Sequence, residues 1–145
     1  VDTCGNVPWN AFEKVLSDSD IFLYDLKELD SARHKRFTGC GNGLILENLK
    51  LLDETGKPIE IRMIQVPGWN MDKSDIAAAA EFLSGLKHVT AVRLLAYHSL
   101  AHSKYRAVGR PDNMPDTSSP TCDDLEKSAE ILRVKGLKVI NPLEK

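Results

Sequence analysis

The sequence has few cysteines, little net charge and no long apolar run, and each shortage excludes a class of protein. Its three cysteines, Cys4, Cys40 and Cys122, are far apart and odd in number, so they form neither a Cys-x-x-Cys pair nor a disulfide framework. A net charge of −2 gives no electrostatic reason to expect nucleic acid or an anionic membrane as a partner. No apolar run approaches the roughly 20 residues that span a bilayer.

The chain also lacks an opening Met and a secretory signal, since it begins Val-Asp-Thr-Cys-Gly rather than with a basic and then apolar stretch. This beginning fits a piece of a longer protein. With 145 residues, of which 42% are hydrophobic and 28% charged, the chain is long enough for one globular domain with a core. We expect a single cytoplasmic domain over residues 1–145 with reduced thiols.

Predicted strands and helices alternate along the chain. Short apolar or alternating runs predict strands over residues 21–26, 59–66, 89–96 and 137–140. Helical spacing and capping signals predict helices in the intervening segments: after Pro8 with a stripe of Phe12, Val15 and Leu16, from Asp30 to Arg36, over Leu44 to Leu52, over Ile76 to Leu86 after Ser74, and from a Thr121–Asp124 capping box to Val134. Residues 99–120, rich in Pro and Gly, are predicted to be a long loop.

This alternation predicts an α/β fold with a parallel sheet covered by helices. Two architectures fit the pattern, a doubly wound sheet or part of a βα barrel. In both, ligands bind at the carboxyl ends of the strands.

Ionisable side chains occur at those strand ends. Asp25 and Lys27 follow the first predicted strand, and alternation points both to the same face. Arg62 lies on the next strand, on the side opposite Ile61 and Met63, while His98 follows the third. Asp2 stands where an earlier strand would end. Each residue alone is better explained by a surface ion pair or another structural role. Together, a ligand site explains them as well as a structural role does, but the pattern does not identify the ligand.

Two familiar site types are missing from the sequence. The four histidines, at positions 34, 88, 98 and 102, have no zinc-binding spacing. The glycine-rich segment at residues 38–43 lacks the Lys-Ser/Thr of a phosphate-binding loop and follows no evident strand.

Several blocks, in order, resemble the glycyl radical enzyme activating enzymes of the radical S-adenosylmethionine (SAM) family, such as pyruvate formate-lyase activating enzyme. The blocks are Asp2-Thr-Cys-Gly5, Tyr24-Asp-Leu-Lys27, Ile61-Arg62 through Val66-Pro-Gly-Trp69, Leu94 through Leu100, and Ser103 through Gly109. The resemblance covers essentially the whole chain. Cys4 replaces a frequent Asn, and Ala96 stands where Pro is common.

The resemblance implies a partial (βα) barrel with about four parallel strands and outer helices. It implies an oxidoreductase that uses a [4Fe–4S] cluster and SAM to make a glycyl radical on a partner enzyme such as pyruvate formate-lyase. The family's Cys-x-x-x-Cys-x-x-Cys and Gly-Gly-Glu segments are missing here, so we expect a C-terminal portion that holds no catalytic residue or cluster cysteine and is inactive alone.

By the same resemblance, Lys27, Arg62 and His98 match SAM-contacting positions. Asp2 and Asp25 match a pair that binds a monovalent cation near the SAM carboxylate. We expect neither SAM nor a cation to bind this chain tightly. We also expect self-association through the edge of the first strand, unless residues near Val1 cover it.

Two other functions remain open from the sequence. The chain could be a cation- or small-molecule-binding βα domain without redox chemistry, or a non-catalytic module that binds a partner. Cluster ligands upstream of residue 1 would favour the activating enzyme over both.

Overall fold

The computed structural model describes residues 1–99, 105, 107–109 and 117–142. Within them, one parallel sheet contains five strands in chain order: β1 (Asp2–Thr3), β2 (Phe22–Asp25), β3 (Ile59–Gln65), β4 (Val89–Ala96) and β5 (Val139–Ile140). The helices are α1 (Trp9–Glu13), α2 (Ser31–Thr38), α3 (Gly43–Glu54), α4 (Lys73–Ser84) and α5 (Cys122–Val134).

One face of this sheet carries the core. Along β3 the side chains alternate between buried and half-buried, with Ile59, Ile61 and Met63 on the buried side. These join residues of the helices in one cluster, which includes Phe12, Leu49, Leu52, Ile76, Leu83, Leu125 and Leu132. Because parallel strands in chain order are connected by right-handed crossovers, successive helices fall on the same side of the sheet.

The other side, which we call the open face, is made by Asp2, Leu23, Asp25, Glu60, Arg62, Arg93 and Ile140, which share a face through the strand register. A doubly wound sheet would reverse its strand order and carry helices on both faces. The partial barrel is therefore the correct architecture, and the doubly wound alternative is wrong.

The predicted elements are largely confirmed. All four predicted strands are present, and β1 adds a fifth strand of two residues. Asp30 caps α2 by accepting a hydrogen bond from the Arg33 amide at 2.7 Å. Thr121 and Asp124 form the predicted capping box of α5.

Several helix boundaries differ from the predicted ones. Helix α2 extends to Thr38 rather than Arg36, and α4 runs from Lys73 to Ser84 rather than from Ile76 to Leu86. Helix α1 ends at Glu13, so Val15 is exposed instead of continuing the apolar stripe that Phe12 begins. Five residues are too few for a complete stripe of a 3.6-residue period.

The edge of β2 is covered. The Leu23 amide donates to the Val1 carbonyl at 2.8 Å, and the terminal amine of Val1 donates to the Ile21 carbonyl at 2.9 Å. The outer edge on this side of the sheet therefore belongs to β1. Residues near Val1 cover the strand over 21–26, which is the condition under which we expect no self-association through its edge. Most of the predicted loop over 99–120 lies outside the described residues. No helix in the described part of the chain is long and apolar enough to cross a membrane.

Gly5, directly after β1, is fixed by two independent constraints. Its φ of +71° lies in the left-handed region that side chains disfavour. A Cβ at this position would lie 1.7 Å from the hydroxyl oxygen of Tyr24. That hydroxyl is buried and donates to the Ile45 carbonyl at 2.7 Å, so it cannot move without losing its partner. The turn after β1 thus packs directly on the end of β2.

We expect Gly5→Ala to destabilise the chain more than Gly39→Ala. Gly39 also has a positive φ, of +87°, but nothing lies within 4 Å of its added Cβ. The control should cost about 1–2 kcal/mol in free energy of unfolding, from backbone strain alone. Gly5→Ala should cost about 1–3 kcal/mol more, because it displaces a buried hydrogen-bonded hydroxyl. Denaturant unfolding of both variants measures the difference, and equal costs would contradict the packing argument.

Candidate functional site

Four charged side chains of the first three strands meet on the open face, beside the carboxyl end of β2. Arg62 is opposite Asp25 in the register of β3 and β2, and Asp2 is on β1. Lys27 follows β2 by two residues, on the same side as Asp25. We call Asp2, Asp25, Lys27 and Arg62 the charge network.

Arg62 connects the two carboxylates. Its Nε donates to Asp25 Oδ1 at 2.8 Å, and its Nη1 donates to Asp2 Oδ2 at 2.8 Å. Its Nη2 contacts both Asp2 Oδ1 and Asp25 Oδ1, the latter at 2.6 Å. Lys27 Nζ completes the network by donating to Asp25 Oδ2 at 3.1 Å. All four carboxylate oxygens are therefore engaged.

The contacts between Arg62 and Asp2 favour the charged forms of both side chains. The hydrogen bond from Arg62 lowers the pKa of Asp2 below the usual value for an aspartate, although Asp2 is largely exposed. The same hydrogen bond, together with those to Asp25, raises the pKa of Arg62. Since the folded pKa of Asp2 is lowered, the stability that Asp2 contributes is present above the ordinary aspartate pKa and is lost as pH falls through the folded pKa.

His98 is not part of the network. It lies two residues beyond the end of β4, at the same edge of the sheet, and its side chain is exposed. Among the described residues, no hydrogen bond or ion pair joins it to the other candidates. The structure thus brings together four of the five predicted site residues.

Sequence analysis missed three buried or half-buried asparagines that fix the surrounding loops. Asn70 accepts from the Val66 amide at 2.9 Å and donates to the Lys27 and Ile64 carbonyls at 2.9 and 2.8 Å, so it ties the end of β2 to the end of β3. Asn48 donates to the carbonyls of Gly5 and Val7, both at 2.8 Å.

The third, Asn42, donates to the Glu28 and Leu29 carbonyls at 2.9 and 2.8 Å. A signal for one of the three exists in the sequence, because Asn48 interrupts the apolar stripe of α3. A buried polar side chain requires a hydrogen-bond partner.

Arg33 was also missed, and it links the loops after β2 and β3. Its Nη1 contacts Asp75 Oδ1 at 2.6 Å, its Nη2 donates to the Trp69 carbonyl, and its Nε lies 3.3 Å from Glu28 Oε2. Its guanidinium lies 5.9 Å from the ring centre of Phe37, and that ring packs on Trp69 with centres 4.2 Å apart. Arg33 therefore joins α2 to the loop after β3 and to the first turn of α4.

A small cavity adjoins the network. It has a volume of about 220 Å³ and is lined by Cys4, Asn6, Asp25, Lys27, His34, Thr38, Cys40 and Ile45. Pockets for drug-sized ligands usually have about 300–1,000 Å³. Two larger clefts, of about 510 and 540 Å³, lie on the helical side and at the opposite end of the sheet and contain no member of the network. Within the described part of the chain, no group of three or more His, Cys, Asp or Glu could hold a metal ion.

Comparison with known proteins gives a consistent answer. The chain is 36% identical over 129 residues to the trans-4-hydroxy-L-proline dehydratase activating enzyme of Clostridioides difficile, covering 88% of this chain and 42% of that protein. It is 30% identical over 141 residues to the pyruvate formate-lyase-activating enzyme of Streptococcus mutans, covering 93% of this chain and 54% of that protein.

A crystal structure described as a domain of pyruvate-formate lyase-activating enzyme from Bacteroides vulgatus matches with a TM-score of 0.81 and 29% identity, over 97% of this chain and 78% of that one. The chain is homologous to the glycyl radical enzyme activating enzymes. This confirms the resemblance first seen in the sequence blocks.

Two further comparisons limit what can be concluded from this homology. A radical SAM methyltransferase from Sphaerobacter thermophilus matches with a TM-score of 0.68 over 97% of this chain and 39% of that one, at 16% identity, which shows a shared fold alone. No protein-family model matches the chain. This chain spans about half the length of the curated relatives that it matches.

We expect Arg62→Met to raise the pKa of Asp2 toward that of an ordinary aspartate, because the mutation removes the hydrogen bond that lowers it. Arg93→Met is the matched control, since Arg93 lies opposite Arg62 in the register but pairs with Glu60 instead. Carboxyl NMR titration follows the Asp2 resonance directly. An Asp2 pKa that does not change in Arg62→Met, or that changes equally in the control, would disprove the network.

Proposed function

We propose that this chain is the C-terminal portion, as a single domain over residues 1–145, of a radical SAM activating enzyme. The whole protein would use a [4Fe–4S] cluster and SAM to form a glycyl radical on a partner enzyme of the pyruvate formate-lyase type. The observation that carries the proposal is the charge network. Its four residues lie in three of the sequence blocks that resemble activating enzymes, and they meet on the open face beside the carboxyl end of β2. Folds of this kind bind ligands at the carboxyl ends of their strands.

The network residues provide the charged groups that can bind a zwitterionic ligand. Lys27 and Arg62 offer N–H donors for a carboxylate or a ribose, and His98 can donate or accept at the same edge of the sheet. Asp2 and Asp25 reach the same guanidinium, so their oxygens lie close enough to contact one monovalent cation. We assign Lys27, Arg62 and His98 to SAM, and Asp2 and Asp25 to the cation.

The cysteines of this chain do not fit a cluster. Cys4 and Cys40 line the small cavity, whereas Cys122 begins α5, and all three are free thiols. The cluster, which supplies the electron that cleaves SAM, would thus be held by residues outside this chain. Free thiols are typical of a reducing compartment, which supports a cytoplasmic location.

The proposal is tested on the longer protein that contains this chain. After anaerobic reconstitution with iron and sulfide, it should convert SAM to 5′-deoxyadenosine and produce a glycyl radical signal in electron paramagnetic resonance with its partner enzyme. The 145-residue chain treated in the same way should show no cluster absorbance and no SAM cleavage. A longer protein that never cleaves SAM would reject the function, and a cluster held by the 145 residues would reject the division of roles.

We expect Lys27→Met to weaken SAM binding by the longer protein by up to about tenfold, because a hydrogen bond to a charged group is worth about 1.5–3 kcal/mol but Lys27 gives up its contact with Asp25 to make it. Lys14→Met is the control, since Lys14 is exposed at the end of α1 and outside the network. Isothermal titration calorimetry with SAM compares the two variants with the unmodified protein. Equal affinities in both variants would exclude Lys27 from the binding site.

A further inference from the structure

The charge network is balanced without any added ion. Two carboxylates face two cationic side chains, and each carboxylate oxygen has a donor: Arg62 contacts both oxygens of Asp2 and one of Asp25, and Lys27 contacts the other. Arg62 has 18% of its side chain exposed, against 65% for Asp2, so the guanidinium is the more enclosed partner. A further cation at this place would meet no net negative charge.

We propose that the Arg62 guanidinium and a monovalent cation are alternative occupants of the space between Asp2 and Asp25. A cation enters only when Arg62 leaves, and Arg62 thereby controls whether the cation site exists. The inference rests on the proposed function for the identity of the ion and deepens it by naming the residue that competes with it. The guanidinium satisfies the same two like charges that would otherwise repel each other at close range.

Neighbouring charges restrict where Arg62 can go. Its register partner on β4 is Arg93, which holds Glu60 through two hydrogen bonds, from Nε at 2.6 Å and from Nη2 at 3.2 Å. A shift toward β4 therefore brings Arg62 close to a like charge whose carboxylate is already engaged. A ligand carboxylate on the open face would offer Arg62 an alternative anion. Arrival of such a ligand would then free both aspartates for the ion.

The test compares potassium chloride with tetramethylammonium chloride at equal concentration, so that ionic screening is matched and only the fit of the ion differs. The 145-residue chain should be stabilised equally by both salts, because Arg62 occupies the site. The Arg62→Met variant should be stabilised selectively by potassium. At a potassium concentration ten times the dissociation constant, its ratio of folded to unfolded molecules should rise about tenfold above that in the tetramethylammonium salt.

Arg93→Met is the matched control, because it removes an arginine of the same face but leaves only one carboxylate without a partner. It should respond equally to both salts. A second carboxylate is required for the effect, so adding Asp25→Asn to Arg62→Met should abolish the potassium response. If Arg62→Met does not fold, Arg62→Gln, which removes the charge but keeps a polar side chain, is compared in the same two salts.

Three results would overturn the inference: selective stabilisation of the unmodified chain by potassium, no selectivity in the Arg62 variant that folds, or equal selectivity in Arg93→Met. None of these depends on SAM cleavage. If the longer protein does not cleave SAM, the proposed function is rejected. The three salt responses reject only the competition between Arg62 and the ion.

Discussion

The chain order of the parallel strands is the constraint on which the rest of the structure depends. Because each crossover is right-handed, strands that follow one another across the sheet place successive helices on one side. The apolar side chains of α1, α3, α4 and α5 then have only one face of the sheet to pack against. The other face receives no helix in the described part of the chain, and its side chains must be stable partly in contact with water.

On the open face, the half-buried charged side chains form ion pairs. A half-buried guanidinium is unfavourable without a partner, since burying a charge costs free energy unless it is paired and hydrogen-bonded. Arg62 and Arg93 are adjacent in the register and would repel each other, yet each pairs with carboxylates of its own: Arg62 with Asp2 and Asp25, and Arg93 with Glu60. The alternation that buries Ile61 and Met63 is therefore the same alternation that places Arg62 among carboxylates.

Alternation and capping are local, and this is why the sequence predicts the elements well. The strand over residues 59–66 and the capping box at Thr121 depend on neighbours within a few positions. The choice between a doubly wound sheet and a barrel depends on strand order, which no local pattern contains. The end of helix α1 was not predicted, because a helix of five residues is too short for its apolar periodicity to be informative.

The site was predicted residue by residue but not as a network. Spacing alone places Asp25 and Lys27 on one side of β2, and in the structure these two side chains form an ion pair. The position of Arg62 between Asp2 and Asp25 depends on the register of three strands, which their spacing in the sequence does not give. For β2 and β3, that register is held in part by Asn70, which joins the Lys27 and Ile64 carbonyls.

The backbone next to the network is held by side-chain contacts, and this has a consequence for ligand binding. Asn48 holds the turn at Gly5, Tyr24 packs against that turn, and Asn70 holds the backbone at Lys27. Backbone positions at the site are therefore set before any ligand arrives, which lowers the ordering cost of binding. The network side chains, in contrast, are not free to accept a ligand, since their charges are already paired with one another. A ligand that engages Lys27 or Arg62 must replace an existing ion pair rather than fill an empty one. Only the difference between the two sets of contacts then contributes to its affinity.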